Sequence, residues 1–152
     1  MHKKLAVVGI GNTLKRDDGI GVIILESLLK FHEKQDIDYF KLGSASSDLL
    51  QKIETYDKIL LIDGIHAGLK VGELLTSELK DIEYILDNCV TSTHELNLRG
   101  IWEVCKNLGI KTRIYLAGVQ VGDTSFGEGL SKVLNNKKED IIKKIIKFIN
   151  KL

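Results

Sequence analysis

Proline is absent from this 152-residue chain, so its turns rest on 14 glycines together with Asn, Asp and Ser. Cysteine is scarce as well. Cys89 and Cys105 form neither a C-x-x-C pair nor a dense framework, and read as two ordinary thiols in a reducing compartment. No apolar run approaches the length that spans a bilayer, and Met1-His2-Lys3-Lys4 leads into a strand-length run, not into a secretory signal. The expectation is a cytoplasmic protein with no membrane partner. An excess of one charge is also lacking: Lys and Arg total 22 against 21 acidic residues, a net charge of +1, which offers nucleic acid no general basic field.

What is present is ordinary globular material, 43% hydrophobic and 28% charged residues. A chain of this length buries about 70% of its unfolded surface, so one domain over residues 1–152 needs no metal or disulfide staple. Strand-like and longer helix-like patterns alternate from end to end, without repeat or linker. This predicts an α/β fold in three layers, a mostly parallel twisted sheet of about five strands with helices on both faces.

Leu5-Ala6-Val7-Val8 predicts the first strand, and Ile20, Val22, Ile23, Leu25 and Leu28-Leu29 a helical stripe to about residue 32 that Asp17 or Asp18 can cap. Ile37 to Leu42 reads as strand two, and Asp48 to Thr55 as a short helix behind a small-residue loop. Lys58 to Ile62 is a buried strand closed by Asp63-Gly64, and residues 71 to 77 an edge strand, antiparallel by expectation. Thr91-Ser92-Thr93 offers a cap for a helix running to Leu108, with His94 in its first turn. Thr112 to Val121 is the last strand. Residues 129 to 152 read as a closing helix, broken near Asn135-Asn136, whose lysines form a solvated face and not a nucleic-acid or membrane surface.

The segment Gly9 to Gly21 presents charge. Asp18 follows strand one, Asp63 follows a parallel strand, and in an open α/β sheet both emerge at the carboxyl edge where ligands bind. His94 at a helix start feels the positive end of the dipole, which keeps the imidazole neutral and able to ligate. Two carboxylates and one imidazole suit a borderline divalent cation such as Zn or Ni, with positions left open. Taken singly, Asp18 reads as a cap, Asp63 as a turn residue and His94 as surface; only their combination suggests a site. Asp17 is expected to cap the helix or bond local backbone, and His66, three residues after Asp63, is a further candidate ligand whose commoner reading is plain surface. A Cys89–His94 nucleophile pair has no strand–helix elbow behind it. Gly9-x-Gly11 is no dinucleotide fingerprint, because Leu stands at position 14 and Asp17 and Asp18 would repel phosphate.

These motifs resemble those of the nickel-iron hydrogenase maturation endopeptidases. That family carries G-x-G-N-x-L-x-x-D-[DE]-x-x-G after its first strand, an Asp ending a later strand, and a His in an S-x-H-x-L segment. Here the counterparts are Gly9 to Gly21, Ile59 to Gly64, and Ser92-Thr93-His94-Glu95-Leu96. The resemblance implies a protease that inspects nickel in the large-subunit precursor of a hydrogenase and removes a C-terminal extension. It implies Asp18, Asp63 and His94 as metal-contacting and catalytic groups, nickel carried by the substrate, no tightly bound cofactor of the enzyme's own, and action as a monomer. Leu42-Gly43-Ser44-Ala45-Ser46, Val71-Gly72 and Val121-Gly122 depart from glycines and prolines common at those places. No Ser-His-Asp set or H-E-x-x-H helix is visible, which leaves hydrolysis by water, with a bound metal or one carboxylate polarising the reacting groups. Two other classes share the residues: a metal-sensing chaperone that leaves the precursor's mass unchanged, and a related peptidase indifferent to nickel.

Overall fold

Period-two burial along three strands explains the architecture. In the computed structural model, which describes residues 3–43, 46–81, 91–92 and 98–152, strand β1 (Lys3–Ile10) sends Leu5 and Val7 to one face and Ala6, Val8 and Ile10 to the other. Strand β3 (Tyr56–His66) divides Leu60 and Ile62 from Ile59 and Leu61 in the same way, and strand β6 (Arg113–Gln120) divides Tyr115, Ala117 and Val119 from Ile114 and Leu116. A sheet apolar on both faces requires a cover on each. Helices α1 (Ile20–Phe31) and α4 (Lys132–Lys151) cover the first face; α2 (Ser46–Ile53) and α3 (Leu98–Asn107) cover the second. Each fully buried Leu or Ile contributes roughly 1.5–3 kcal/mol through burial.

The strand order is β2-β1-β3-β6-β4, where β2 is Ile37–Leu42 and β4 is Leu74–Glu78. Strands β2, β1, β3 and β6 run parallel, and β4 pairs antiparallel with β6, as expected for the edge strand at residues 71 to 77. The two-residue strand β5 (Thr91–Ser92) pairs antiparallel with the end of β3. Among the described residues no helix is long and apolar enough to cross a membrane.

Four local expectations are corrected. Strand β3 does not close at Asp63-Gly64: Asp63, Gly64 and Ile65 keep pairing with Gly118, Val119 and Gln120, so the carboxylate belongs to a strand interior. Gly118 permits this, since a Cβ there would stand 2.6 Å from the Ile65 side chain. Helix α4 is unbroken at Asn135-Asn136. Asparagine costs a helix only a few tenths of a kcal/mol, and the buried stripe of Leu134, Ile141, Ile142, Ile145 and Ile149 outweighs that. Neither Asp17 nor Asp18 caps α1. Its N-cap is Gly19, with no side-chain cap bond, and both acids sit in a single 3-10 turn, Arg16–Gly19, that feeds the helix. Thr91 and Ser92 belong to strand β5 and not to a helix start; Thr93 and His94 lie outside the described residues.

Candidate functional site at the carboxyl edge of the sheet

From β1 the chain crosses over α1 to β2 on one side, then over α2 to β3 on the other. The crossovers diverge at the carboxyl ends of β1 and β3, which opens the crevice where α/β sheets bind ligands. The turn carrying Asp18 follows β1, and Asp63 lies near the end of β3. Glycine lets the segments that carry them pack closely. A Cβ on Gly21 would collide with the carbonyl oxygens of both Ile10 and Ile62, so only glycine lets the start of α1 press into the gap between the two strands beside Asp63. Gly11 does the same one step earlier, where a Cβ would stand 2.5 Å from the Asp18 carbonyl oxygen. The Arg16–Gly19 turn accordingly touches β3.

Asp18 is 2% exposed and Asp63 0% exposed. Asp63 shares the face of Ile59 and Leu61, the α2–α3 side of the sheet. Burying carboxylates costs free energy unless charge or hydrogen-bond partners compensate, so two buried at one sheet edge mark that edge as a candidate site. His66 is exposed and lies on the opposite face of β3 from Asp63, which removes it as a partner. His94, the expected third ligand, and Cys89 lie outside the described residues. Among the described residues no three His, Cys, Asp or Glu gather into a metal-holding group. Cys105 is buried against the second face, and burial pushes its thiol pKa up, which leaves it inert.

Asp17 has a different task from the one expected. Its carboxylate is fully buried, and it accepts hydrogen bonds from the amides of Gly122 and Asp123 at 3.0 Å each and of Ser131 at 2.7 Å, and from the Ser131 hydroxyl at 2.8 Å. It therefore binds the loop between β6 and α4, more than 100 residues away in the chain, and not local backbone. The same turn thus anchors a loop through Asp17 and carries the buried Asp18 next to it at the carboxyl edge of the sheet.

Two further residues escape a reading of the sequence. Gln120, at the end of β6, is 7% exposed; its carbonyl accepts from the amides of Ala67 at 2.8 Å and Leu69 at 3.3 Å, and its amide donates to the Val121 carbonyl at 2.9 Å. It holds the loop that follows β3. Asp123 accepts from the Ser125 amide at 2.9 Å and hydroxyl at 2.6 Å, which keep its carboxyl below the usual carboxylate range. The available signals were a glutamine closing an apolar strand and an Asp-x-Ser spacing at Asp123 and Ser125.

Residues 22–148 match the family model for hydrogenase maturation proteases. A Methanocaldococcus jannaschii protein assigned to those proteases is 33% identical over 128 residues, covering 78% of this chain and 72% of the relative. The chain spans only 59% and 57% of two bacterial hydrogenase expression/formation proteins, named HupD, that it also matches. Among solved structures, the maturation protease HycI of Thermococcus kodakarensis is 26% identical with a TM-score of 0.75, over 97% of this chain and 93% of that one. The maturating endopeptidase HybD of E. coli has the same fold, with a TM-score of 0.82 at 21% identity over 97% and 93% of the two chains. With the family model matched over most of its length and a relative 33% identical over 78% of it, the chain belongs to the hydrogenase maturation protease family.

Proposed function

We propose that this protein is the endopeptidase that recognises nickel in the large-subunit precursor of a nickel-iron hydrogenase and removes its C-terminal extension. The observation that supports the reading is the burial of Asp18 and Asp63 together at the switch point of a maturation-protease sheet. Carboxylate oxygens with one imidazole, His94, are weaker donors toward nickel than the thiolates of a substrate site, so such a set senses the ion without extracting it. The nickel is substrate cargo, and the enzyme needs no resident metal for this task.

Hydrolysis then follows from positioning. The ion seated between substrate and enzyme fixes the scissile peptide at the crevice, and one carboxylate takes a proton from the water that attacks the peptide carbonyl carbon. The C–N bond breaks as the departing amine takes up a proton. The reading places the reaction in the cytoplasm, with the protein acting as a monomer. Mass spectrometry of the precursor after incubation, with and without nickel, is the test. The expected result is loss of a C-terminal fragment from nickel-loaded precursor alone. Unchanged mass in both samples identifies a metal-sensing chaperone, and cleavage in both a peptidase indifferent to nickel.

A further inference from the structure

Two segments far apart in sequence are stitched together on the outer side of the Asp18 turn. Lys15 pairs with Gly127 in an isolated parallel bridge; the Gly127 amide donates to the Leu14 carbonyl at 2.9 Å, and the Arg16 amide to the Gly127 carbonyl at 3.1 Å. The Asp17 amide donates to the Asp123 carbonyl at 3.0 Å, and the buried Asp17 carboxylate supplies the anchor described above. Gly127 lies so close to the Arg16 guanidinium that a Cβ would stand 2.9 Å from it.

This stitch holds a strained backbone. Arg16 has φ 43°, and among the described residues it is the only non-glycine in the left-handed region, which costs a side chain about 1 kcal/mol or more. Such a residue persists only where its surroundings over-determine it, and residues of this kind cluster at ligand clamps. What the strained stitch displays is apolar. Leu14 is 62% exposed and Phe126 81% exposed, with the Lys15 ammonium 5.9 Å from the Phe126 ring centroid. Large side chains left in water contribute nothing to folding, yet here a buried carboxylate and a strained turn hold the two segments that carry them in register.

We infer that Leu14 and Phe126 form a docking ridge for an apolar segment of the precursor polypeptide next to its nickel-carrying part. The occupant follows from continuity: Leu14 leads directly into the Arg16–Gly19 turn, four residues before Asp18, and the Asp17 carboxylate ties that turn to the loop that carries Phe126. A rigid ridge costs little ordering entropy on binding, and aromatic side chains are the usual anchors of such contacts. This inference rests on the proposed function and adds to it the surface that selects the substrate.

The test compares the parent protein with the double variant Leu14→Ser and Phe126→Ser, and with the conservative pair Leu14→Met and Phe126→Leu, on nickel-loaded precursor. The serine variant is expected to raise KM about tenfold or more while kcat stays within about twofold, because binding shared by ground and transition states is removed. Its melting temperature is expected to match the parent's, both side chains being exposed, and the conservative pair is expected to restore KM. An unchanged KM, or a loss confined to kcat, overturns the ridge. A parent protein that leaves the precursor uncut overturns the proposed function itself, and that outcome is distinct because no ridge variant is involved.

Discussion

Asp17 and Ser131, 114 residues apart in the chain, share two hydrogen bonds, the serine amide at 2.7 Å and its hydroxyl at 2.8 Å both donating to the buried carboxylate. The same serine is the N-cap of α4, where its oxygen accepts from the Leu134 amide at 3.4 Å. A single contact thus ties the turn after the first strand to the start of the last helix, across the edge where Asp18 and Asp63 lie.

Removing the charge from that contact should be costly. Asp17→Asn turns an NH2 group toward donors that need an acceptor, and a charged hydrogen bond left unmade costs about 1.5–3 kcal/mol. For a chain of this size the melting temperature should fall by roughly 5–10 °C. Ser131→Ala, which leaves the amide bond in place, should cost about 1–2 kcal/mol as a lost cap. Thermal unfolding of both variants checks the order; equal losses would refute the clamp.

Gly21 gives a sharper steric test. An added methyl meets the carbonyl oxygens of Ile10 and Ile62, backbone atoms that cannot swing away. Gly21→Ala should lose about 3 kcal/mol or more, although alanine favours a helix over glycine by about 1 kcal/mol. Gly43→Ala is the control, since nothing lies within 4 Å of a Cβ there. Denaturant midpoints of the two variants measure the difference.

The sheet was legible because its strands carry long apolar runs. Ile37–Leu42 was delimited correctly, and the antiparallel edge strand was read within a few residues. Asp63 was expected in a turn because aspartate and glycine usually stop strands. In this fold Gly118 faces it across the ladder and makes room for the strand to continue. Asp17 was misjudged for another reason. A capping role is local and visible in sequence, whereas a carboxylate bonding residues 122 to 131 depends on tertiary closure that no spacing rule encodes. His94 belongs to the candidate site by its place in the sequence and by resemblance, since it lies outside the described residues.

Tyr56 carries an alkaline signature. Its ring is buried and its hydroxyl donates to Asp38 at 2.7 Å; desolvation first, then this bond, push its pKa up to about 12 from an ordinary 10.0. The folded state therefore holds the phenolic proton more tightly than the unfolded chain. The stabilisation is complete below pH 10 and is lost as pH rises toward 12. Across that window the parent should lose on the order of 2 kcal/mol more than Tyr56→Phe. Urea unfolding of both at intervals of pH measures the gap, and parallel curves would exclude the linkage.

Asp18 and Asp63 separate catalysis from folding. Asparagine matches aspartate in shape, so Asp18→Asn and Asp63→Asn should fold with circular dichroism spectra like the parent's. Each removes a carboxylate that the proposed function uses for nickel recognition or water activation, and processing of nickel-loaded precursor should fall by about 100-fold or more. His94→Gln should behave alike if the imidazole completes the set. In the proposed function both groups act on one ion, so the double variant Asp18→Asn and Asp63→Asn should be little worse than either single one. Independent, multiplying losses would mean that the two carboxylates serve separate steps, and full processing by either single variant would remove that residue from the site.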